Sequence, residues 1–194
     1  MEDGETNNDK ELGLERVVID DEGDVLLKTS TKEFLASSKA LGLASSYFRT
    51  MFKSNFSEGR ADRSPEKPLT LDATEDDTEA LNVLLHSTHF AHTPGLAAPD
   101  IDLQLKISIL SDKYECLRAL HYHSQRWLAH TTYDNSLWKM ATIAHLMHHP
   151  GRFAAAASQI AQRSTENFLQ AVELPLQSLP DEMKGEWKSH LYCI

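Results

Sequence analysis

Ten histidines give this chain its clearest potential for chemistry, because imidazole binds metals and exchanges protons near neutral pH. His86, His89 and His92 are spaced three residues apart, and the first two share one face of a predicted helix, as a metal-binding pair would. His92 falls beyond the predicted end of that helix, and no cysteine lies nearby. Histidines at a helix C-terminus also bind its free carbonyl groups. We expect this structural role.

A second histidine group, His145, His148 and His149, ends another predicted helix just before Pro150 and Gly151. The same interpretation applies, because a helix end has free carbonyl groups and a partial negative charge. We therefore expect no metal ligands and no cofactor in this protein.

Nucleophilic and acid–base chemistry has few candidates. Cys116 is flanked by Tyr114 and Leu117 on an apolar helix face, where a thiol is buried and inert. Asp76 and Asp77 are adjacent carboxylates, but we place both in the first turn of a helix, where they stabilise its dipole. The sequence contains no Gly-x-Ser-x-Gly elbow, phosphate-binding loop or dinucleotide fingerprint. We expect no catalytic residues and a protein that is not an enzyme.

Charge and composition restrict the partners. The 194 residues carry a formal charge of −10, so we expect neither nucleic acid nor an anionic membrane surface as a partner. No stretch approaches the roughly 18 apolar residues of a membrane span. The N-terminal "MEDGETNNDKE" lacks the basic start and apolar run of a signal peptide. We expect an intracellular protein of the cytoplasm or nucleus, with reduced thiols.

The order of elements predicts an α+β fold, a small mixed sheet capped by a helical cluster and followed by extra helices. Residues 1–14 are predicted to be a disordered acidic tail, 15–130 the main domain and 131–194 a helical extension. The predicted elements are β-runs at 17–19, 25–29 and "EFLAS", a strand at "PLTL", a helix opening with a capping box of Thr74 and Asp77, a helix pair from 101 to 130, and helices at "NSLWKMATIAHLMHH", "GRFAAAASQIAQRS" and "DEMKGEWKSHL". Helical periodicity assigns Leu81, Leu84, Leu110 and Tyr114 to the core.

The segment "LASSKALGLASSYFRTMFKSNFSEG", residues 35–59, has the period of one helix but an unusually wide apolar side. At 100° per residue its apolar residues from Ala40 to Phe52 fill an arc of about 180°, whereas a helix lying on a core needs only about 100°. Two explanations remain open. The helix lies between two layers of its own domain, or it covers a core and also contacts a partner.

Several pieces of the chain, in order, resemble a BTB/POZ domain. "GDVLLKTSTKEFLASSKALGLASSYFRTMFKSNFSEG" resembles its opening, "KPLTLDATEDDTEALNVLLHSTHF" its next strand and helix, and "LSDKYECLRALHYHSQRWL" its later helix pair. The Asp112-Lys113-Tyr114 step with Cys116 resembles fungal members, whose helical tails the chain after residue 130 also resembles. The positions that carry the opening motif are Asp24, Val25, Leu27, Leu41, Ser45, Ser46, Tyr47, Phe48, Met51, Phe52, Phe56 and Glu58.

The resemblance implies a non-enzymatic protein-interaction module. Many BTB domains form homodimers, and many recruit a type-three cullin as adaptors of ubiquitin ligases. Residues 1–14 are too polar to supply the usual swapped N-terminal helix, and the loop from 90 to 102 has no clear apolar-x-Glu cullin motif.

The same resemblance divides the wide apolar arc. The family's core positions are matched by Leu41, Phe48 and Phe52. The second set, named as candidates for a partner or dimer interface, is Leu43, Tyr47 and Met51.

Three functions follow. The first is a homodimerising adaptor for a cullin-based ligase. The second is a monomeric scaffold whose dimer face is covered by its own C-terminal helices, with Trp138, Leu146 and Phe153 as the covering residues. The third is a small helical metal-binding protein that uses the histidines.

Overall fold

The computed structural model describes residues 14–53, 56–91, 99–130 and 136–163, and it confirms the α+β class. Within these residues the chain forms one four-stranded mixed sheet and eight helices. The strands are β1 (Glu15–Val18), β2 (Val25–Lys28), β3 (Lys32–Ala36) and β4 (Leu69–Asp72). The helices are α1 (Ser38–Ala44), α2 (Ser46–Met51), α3 (Ser57–Arg60), α4 (Thr78–Thr88), α5 (Ile101–Lys113), α6 (Leu117–His130), α7 (Leu137–Leu146) and α8 (Pro150–Arg163).

The sheet has the strand order β1-β3-β2-β4. Strands β2 and β3 form an antiparallel hairpin, in which the buried residues Leu27 and Phe34 are cross-strand partners. Strand β4 pairs with β2 in parallel, and β1 pairs with β3 in parallel. The turn at "DDEG" (residues 20–23) connects β1, at the edge of the sheet, to β2 in its interior. These two strands are not paired with each other, because β3 lies between them.

Strand β1 is an edge strand and is the most exposed strand of the sheet. Two ion pairs join it to β3. Lys32 Nζ lies 2.9 Å from a carboxylate oxygen of Glu15, and an Arg16 guanidinium nitrogen lies 3.1 Å from Glu33. The register places each pair directly across the two strands.

The prediction of a single helix for the wide apolar segment is wrong, because the segment contains two helices, α1 and α2. Helix α1 ends at Ala44, and Ser45 takes an extended conformation (φ −132°, ψ 127°) before α2 begins at Ser46. Ser45 begins α2 as its N-cap, because its Oγ accepts a hydrogen bond from the Phe48 backbone N–H at 3.0 Å. The apolar arc of about 180° was calculated across this break. It therefore belongs to two separate helices.

The start of α4 is also corrected. The predicted capping box at Thr74 does not form, because the helix begins at Thr78 with Asp77 as its N-cap. The Asp77 carboxylate accepts a hydrogen bond from the Ala80 N–H at 3.0 Å. Asp76 lies before the helix, so the expectation that it occupies the first turn is wrong.

The main core lies between the sheet and helices α1, α2, α4, α5 and α6. Most of the predicted core residues are buried there: Leu41, Phe48, Leu81, Leu84, Leu110 and Tyr114. Phe52 is half-buried and packs against this core.

Helices α7 and α8 pack together, and α7 lies on α5. Their contact forms a second cluster around Leu137, Met140 and Ile160. Trp138 and Phe153 are half-buried and touch both clusters. The predicted tail 1–14, except Leu14, and the predicted helix "DEMKGEWKSHL" lie outside the described residues. None of the helices in the described ranges has the length and hydropathy that a membrane span needs.

Candidate functional site

Helix α2 is fixed to the core at its first turn. The buried Ser45 Oγ donates a hydrogen bond to the Tyr114 carbonyl oxygen at 2.5 Å while it caps α2. One hydroxyl therefore joins the start of α2 to the end of α5, across 69 residues of sequence. This bond sets which residues of α2 point inward.

Aromatic rings continue this attachment. The Phe48 ring stacks on Tyr114 with a centroid distance of 5.0 Å, and Phe52 stacks on Phe48 at 5.9 Å. Tyr47 packs edge-on against Tyr114 at 5.5 Å, yet 40% of its surface stays exposed. One side of the Tyr47 ring therefore packs against Tyr114, and the rest of the ring is open to solvent.

A surface cavity of about 360 Å³ lies beside this exposed ring. Its apolar wall comes from Tyr47 and Met51 of α2 and from Phe56, which is 47% exposed. Its remaining lining residues are Ser46, Thr50, Glu58 and Glu115. We name Tyr47, Met51, Phe56, Glu58 and Glu115 together the α2 face.

Two carboxylates lie among the apolar side chains of the α2 face. A Glu58 oxygen accepts a hydrogen bond from Ser57 Oγ at 2.8 Å, and a Glu115 oxygen accepts one from Ser46 Oγ. Hydrogen bonds from its own backbone and from Ser57 lower the pKa of Glu58, so this carboxyl is ionised at neutral pH. Within the described residues neither carboxylate forms a salt bridge. The face therefore combines exposed aromatic rings with two negative charges.

Of the three predicted interface residues, two line the cavity and one does not. Tyr47 and Met51 line the cavity, although Met51 is half-buried and also contacts the core. Leu43 is 85% exposed on α1 and does not line the cavity, because the break at Ser45 separates the two helices.

Sequence reasoning missed Glu115, which becomes part of the site through its backbone conformation. Its positive φ of 51° turns the chain between α5 and α6 toward α2. Phe56 entered the prediction only through the family motif, and no periodicity identified its exposure.

The predicted histidine sites are structural where they are described. His86 Nδ1 lies 2.8 Å from the Asn82 carbonyl oxygen, and His89 Nδ1 lies 2.8 Å from that of Leu85. His89 Nε2 accepts a hydrogen bond from the Ser37 N–H at 3.0 Å. His89 thus bonds to a carbonyl of the last turn of α4, whereas the Asn82 carbonyl that His86 contacts lies inside the helix. His92 lies outside the described residues, which contain no group of three ligands suited to a metal ion.

The second histidine group joins helices. His149 Nε2 lies 2.9 Å from Ser124 Oγ, and the His149 ring stacks on that of His121 at a centroid distance of 5.9 Å. These contacts link α6 to the junction of α7 and α8. His148 has a positive φ of 54°, which marks the tight turn at that junction.

Cys116 is buried completely, and burial raises the pKa of its thiol to about 11. A thiol with so high a pKa is almost entirely protonated at neutral pH and is a weak nucleophile. Its Sγ lies 3.3 Å from the Tyr114 carbonyl oxygen, as a structural donor would.

Comparison with known protein families and with curated proteins found no match to this chain. The α2 face offers apolar contact area, carboxylate acceptors and hydroxyl groups. These groups are suited to binding another protein surface.

Proposed function

We propose that this chain is a non-enzymatic protein–protein interaction module that binds its partner through the α2 face. The observation that carries the proposal is the exposure of Tyr47 and Phe56 around a surface cavity, whose two carboxylates form no salt bridge with any residue that the structure describes. Exposed aromatic clusters of this kind mark interaction sites, since a monomer gains nothing by leaving them in water.

Tyr47 is the expected anchor of the interface. Its ring is already held by Tyr114 and Phe48, with centroid distances of 5.5 and 5.3 Å, so binding a partner would immobilise it at little entropic cost. Tyrosine is enriched among the residues that dominate binding energy, because it combines a large apolar ring with a polar hydroxyl.

We further propose a BTB/POZ-type module whose first partner is a second copy of the chain, and which serves as an adaptor for a cullin-based ligase. The order of the hairpin, the two short helices, β4, α4 and the α5–α6 pair is consistent with the resemblance in the sequence. A stable interface buries roughly 800 Å² on each partner. The α2 face alone is too small for this, so the exposed Leu43 and neighbouring elements are expected to contribute.

The monomeric scaffold remains the second candidate. The residues that were expected to cover its dimer face do not do so. Helices α7 and α8 leave Leu43 and Tyr47 exposed, so Trp138, Leu146 and Phe153 do not cover them. Any cover from within the chain must come from other residues. The small metal-binding protein has the least support, since His86 and His89 bond to helix carbonyls, His89 also to Ser37, and His149 to Ser124.

Light scattering over a range of concentrations tests self-association. We expect the wild-type mass to rise from 21.8 kDa toward twice that value as concentration increases. Tyr47→Asp should stay at the monomer mass at every concentration, because it places a charge in the apolar centre of the interface. Tyr122→Asp is the matched control, since Tyr122 is 79% exposed on α6 and lies outside the α2 face.

A second copy is excluded as the partner if the wild type stays monomeric throughout, or if both variants lose association equally. In the first case, a cullin pull-down with wild type and Tyr47→Asp would test the adaptor function separately.

A further inference from the structure

A second cavity, of about 600 Å³, lies between the β1 side of the sheet and helix α4. Its volume is within the range of pockets that hold a small ligand or a partner's side chain. None of its described lining residues belongs to the α2 face. We name it the β1–α4 cavity, and its lining residues are Val17, Thr31, Lys32, Thr78, Glu79, Asn82 and His86.

The α4 wall of the cavity presents hydrogen-bond acceptors. Glu79, Asn82 and His86 lie at positions i, i+3 and i+7, so they fall within an arc of about 60° on one side of the helix. Glu79 is exposed and forms no salt bridge with any residue that the structure describes. The side-chain oxygen of Asn82 is buried and accepts no hydrogen bond from a described residue. A buried acceptor without a donor costs stability, and a ligand that donates to it removes that cost.

His86 provides a further acceptor. Its Nδ1 lies 2.8 Å from the Asn82 carbonyl oxygen, which can only accept, so Nδ1 carries the hydrogen. In the neutral ring Nε2 is then an acceptor. Helix α4 therefore offers three acceptors along about 10 Å of its length.

The threonines of the lining also offer oxygen rather than hydrogen. Thr78 Oγ1 donates to Thr29 Oγ1 at 3.0 Å, and Thr29 Oγ1 donates to the Lys32 carbonyl oxygen at 2.9 Å. A hydroxyl has one hydrogen, so in the 2.8 Å contact between Thr31 and Thr78 it is Thr31 that donates. All three hydroxyl hydrogens are therefore used within the chain. The same bonds attach the start of α4 to the β2–β3 turn and fix this wall of the cavity.

The lysine of the lining is already paired. Lys32 Nζ lies 2.9 Å from a carboxylate oxygen of Glu15, so an incoming carboxylate would have to displace that residue. An incoming cation meets the carboxylate of Glu79 without breaking an ion pair. The formal charge of −10 on the chain also favours a cation over an anion.

We propose that the β1–α4 cavity binds the guanidinium group of an arginine side chain from a protein partner. A guanidinium has five N–H donors in a planar fork and no acceptor, which complements a lining rich in acceptors. It pairs with Glu79 and donates to the Asn82 oxygen, while its aliphatic stem lies against the half-buried Val17. A free amino acid is disfavoured, because its carboxylate would meet no unpaired lysine or arginine among the described lining residues.

NMR titration of the full chain with Nα-acetyl-arginine methylamide tests the site. We expect saturable shifts of the backbone amide signals of Thr31, Thr78 and Asn82, with a dissociation constant of about 1 mM or weaker, since one side chain makes few contacts. The citrulline analogue has the same shape without the charge, and it should bind about tenfold more weakly.

Glu79→Gln should weaken binding of the arginine probe by about fivefold or more, because it removes the charge that pairs with the guanidinium. Glu75→Gln is the matched control. It removes the same charge from an exposed residue that does not line the cavity, so binding should be unchanged.

Asn82→Leu separates binding from folding. Leucine removes the buried acceptor and favours a helix more than asparagine does, so the midpoint of thermal unfolding should stay the same or rise. Binding of the probe should nevertheless weaken by about fivefold or more. A purely structural role of Asn82 would instead lower the midpoint.

Five results would overturn the proposal. They are shifts that do not saturate, equal binding of the citrulline analogue, equal binding of Nα-acetyl-lysine methylamide, binding that Glu79→Gln does not weaken, and tighter binding of free arginine, which would assign the cavity to the amino acid. Tyr47→Asp should leave probe binding unchanged, because Tyr47 does not line this cavity. The arginine site and the proposed dimer are therefore supported or rejected separately.

Discussion

The Tyr114 hydroxyl donates a hydrogen bond to the carboxylate of Asp76, which lies 38 residues earlier in the chain. The other carboxylate oxygen lies 2.6 Å from Lys113 Nζ, and the Asp76 residue is only 6% exposed. Burial and the bond to Asp76 raise the pKa of Tyr114 far above its usual range, so the phenol stays a donor. These bonds attach the end of α5 to the connection between β4 and α4, directly behind the α2 face.

Tyr114→Phe should lower the free energy of unfolding by about 1–3 kcal/mol, because one oxygen of the buried Asp76 carboxylate loses its donor. The aromatic stacking on Phe48 is kept in this variant, so the loss reports the hydroxyl. Urea unfolding gives the measurement. Tyr122→Phe is the control, since Tyr122 is largely exposed and should change by less than about 0.5 kcal/mol. Equal effects of the two changes would contradict the buried bond.

Ser45→Ala should cost about 1–2 kcal/mol, because it removes the N-cap of α2 and the bond to the Tyr114 carbonyl. Ser37 is a matched control, since it is the N-cap of α1 but its side chain makes no capping bond. Ser37→Ala should therefore change the midpoint of thermal unfolding far less. The prediction fails if the two alanine variants melt together.

Two glycines should respond to alanine in opposite directions. A Cβ at Gly23 would lie 2.8 Å from the Asp20 carbonyl oxygen and 2.9 Å from that of Ala36, so Gly23→Ala should destabilise by about 1–3 kcal/mol. A Cβ at Gly151 would meet nothing within 4 Å, and Gly151→Ala should stabilise α8 by about 0.5–1 kcal/mol. Chemical denaturation of both variants checks the signs, and a neutral Gly23→Ala would show that the turn can move.

The free energy of unfolding should fall as pH is lowered through the range in which histidine titrates. Burial lowers the pKa of His89 below its ordinary value of 6.5, so the unfolded chain binds the proton more readily. The stabilisation is complete above about pH 6.5 and is lost as pH falls toward the folded pKa. Protonation also places an Nε2–H against the Ser37 N–H that now donates to it.

Between pH 7.5 and 5.5 we expect the free energy of unfolding, measured with urea, to fall, with His89 contributing to the loss. His89→Gln should show a smaller loss over the same interval. Part of the pH dependence of the unfolding free energy should persist in this variant, because burial and the nearby His121 also lower the pKa of His149. Identical slopes in wild type and His89→Gln would rule out His89 as a source of the pH dependence.

Periodicity predicted the elements well where one side of the element is buried. The apolar residues of β2 and β3, such as Leu27 and Phe34, and the stripe of α4, with Leu81 and Leu84, identify their buried faces from spacing alone. Spacing does not identify partners, however. The parallel pairing of β1 with β3 depends on which sheet edge is free, and a local pattern carries no information about that edge.

The break at Ser45 was missed because serine is tolerated inside a helix, and the apolar period continues across it. A signal was present, since serine before an aromatic turn is also a good N-cap. The role of Asp76 was missed for a different reason. Its partners, Lys113 and Tyr114, lie more than 30 residues away, and an acidic residue near a helix start has a simpler local explanation.

Strand β1 bears on aggregation. An edge strand is a template onto which another molecule can add its own strand, and proteins discourage this by placing charges along the edge. Glu15 and Arg16 provide such charges, and their ion pairs with Lys32 and Glu33 hold them across the outer two strands. An incoming strand would have to accommodate alternating charges of both signs before it reached the exposed Val18. Association through this edge is therefore disfavoured.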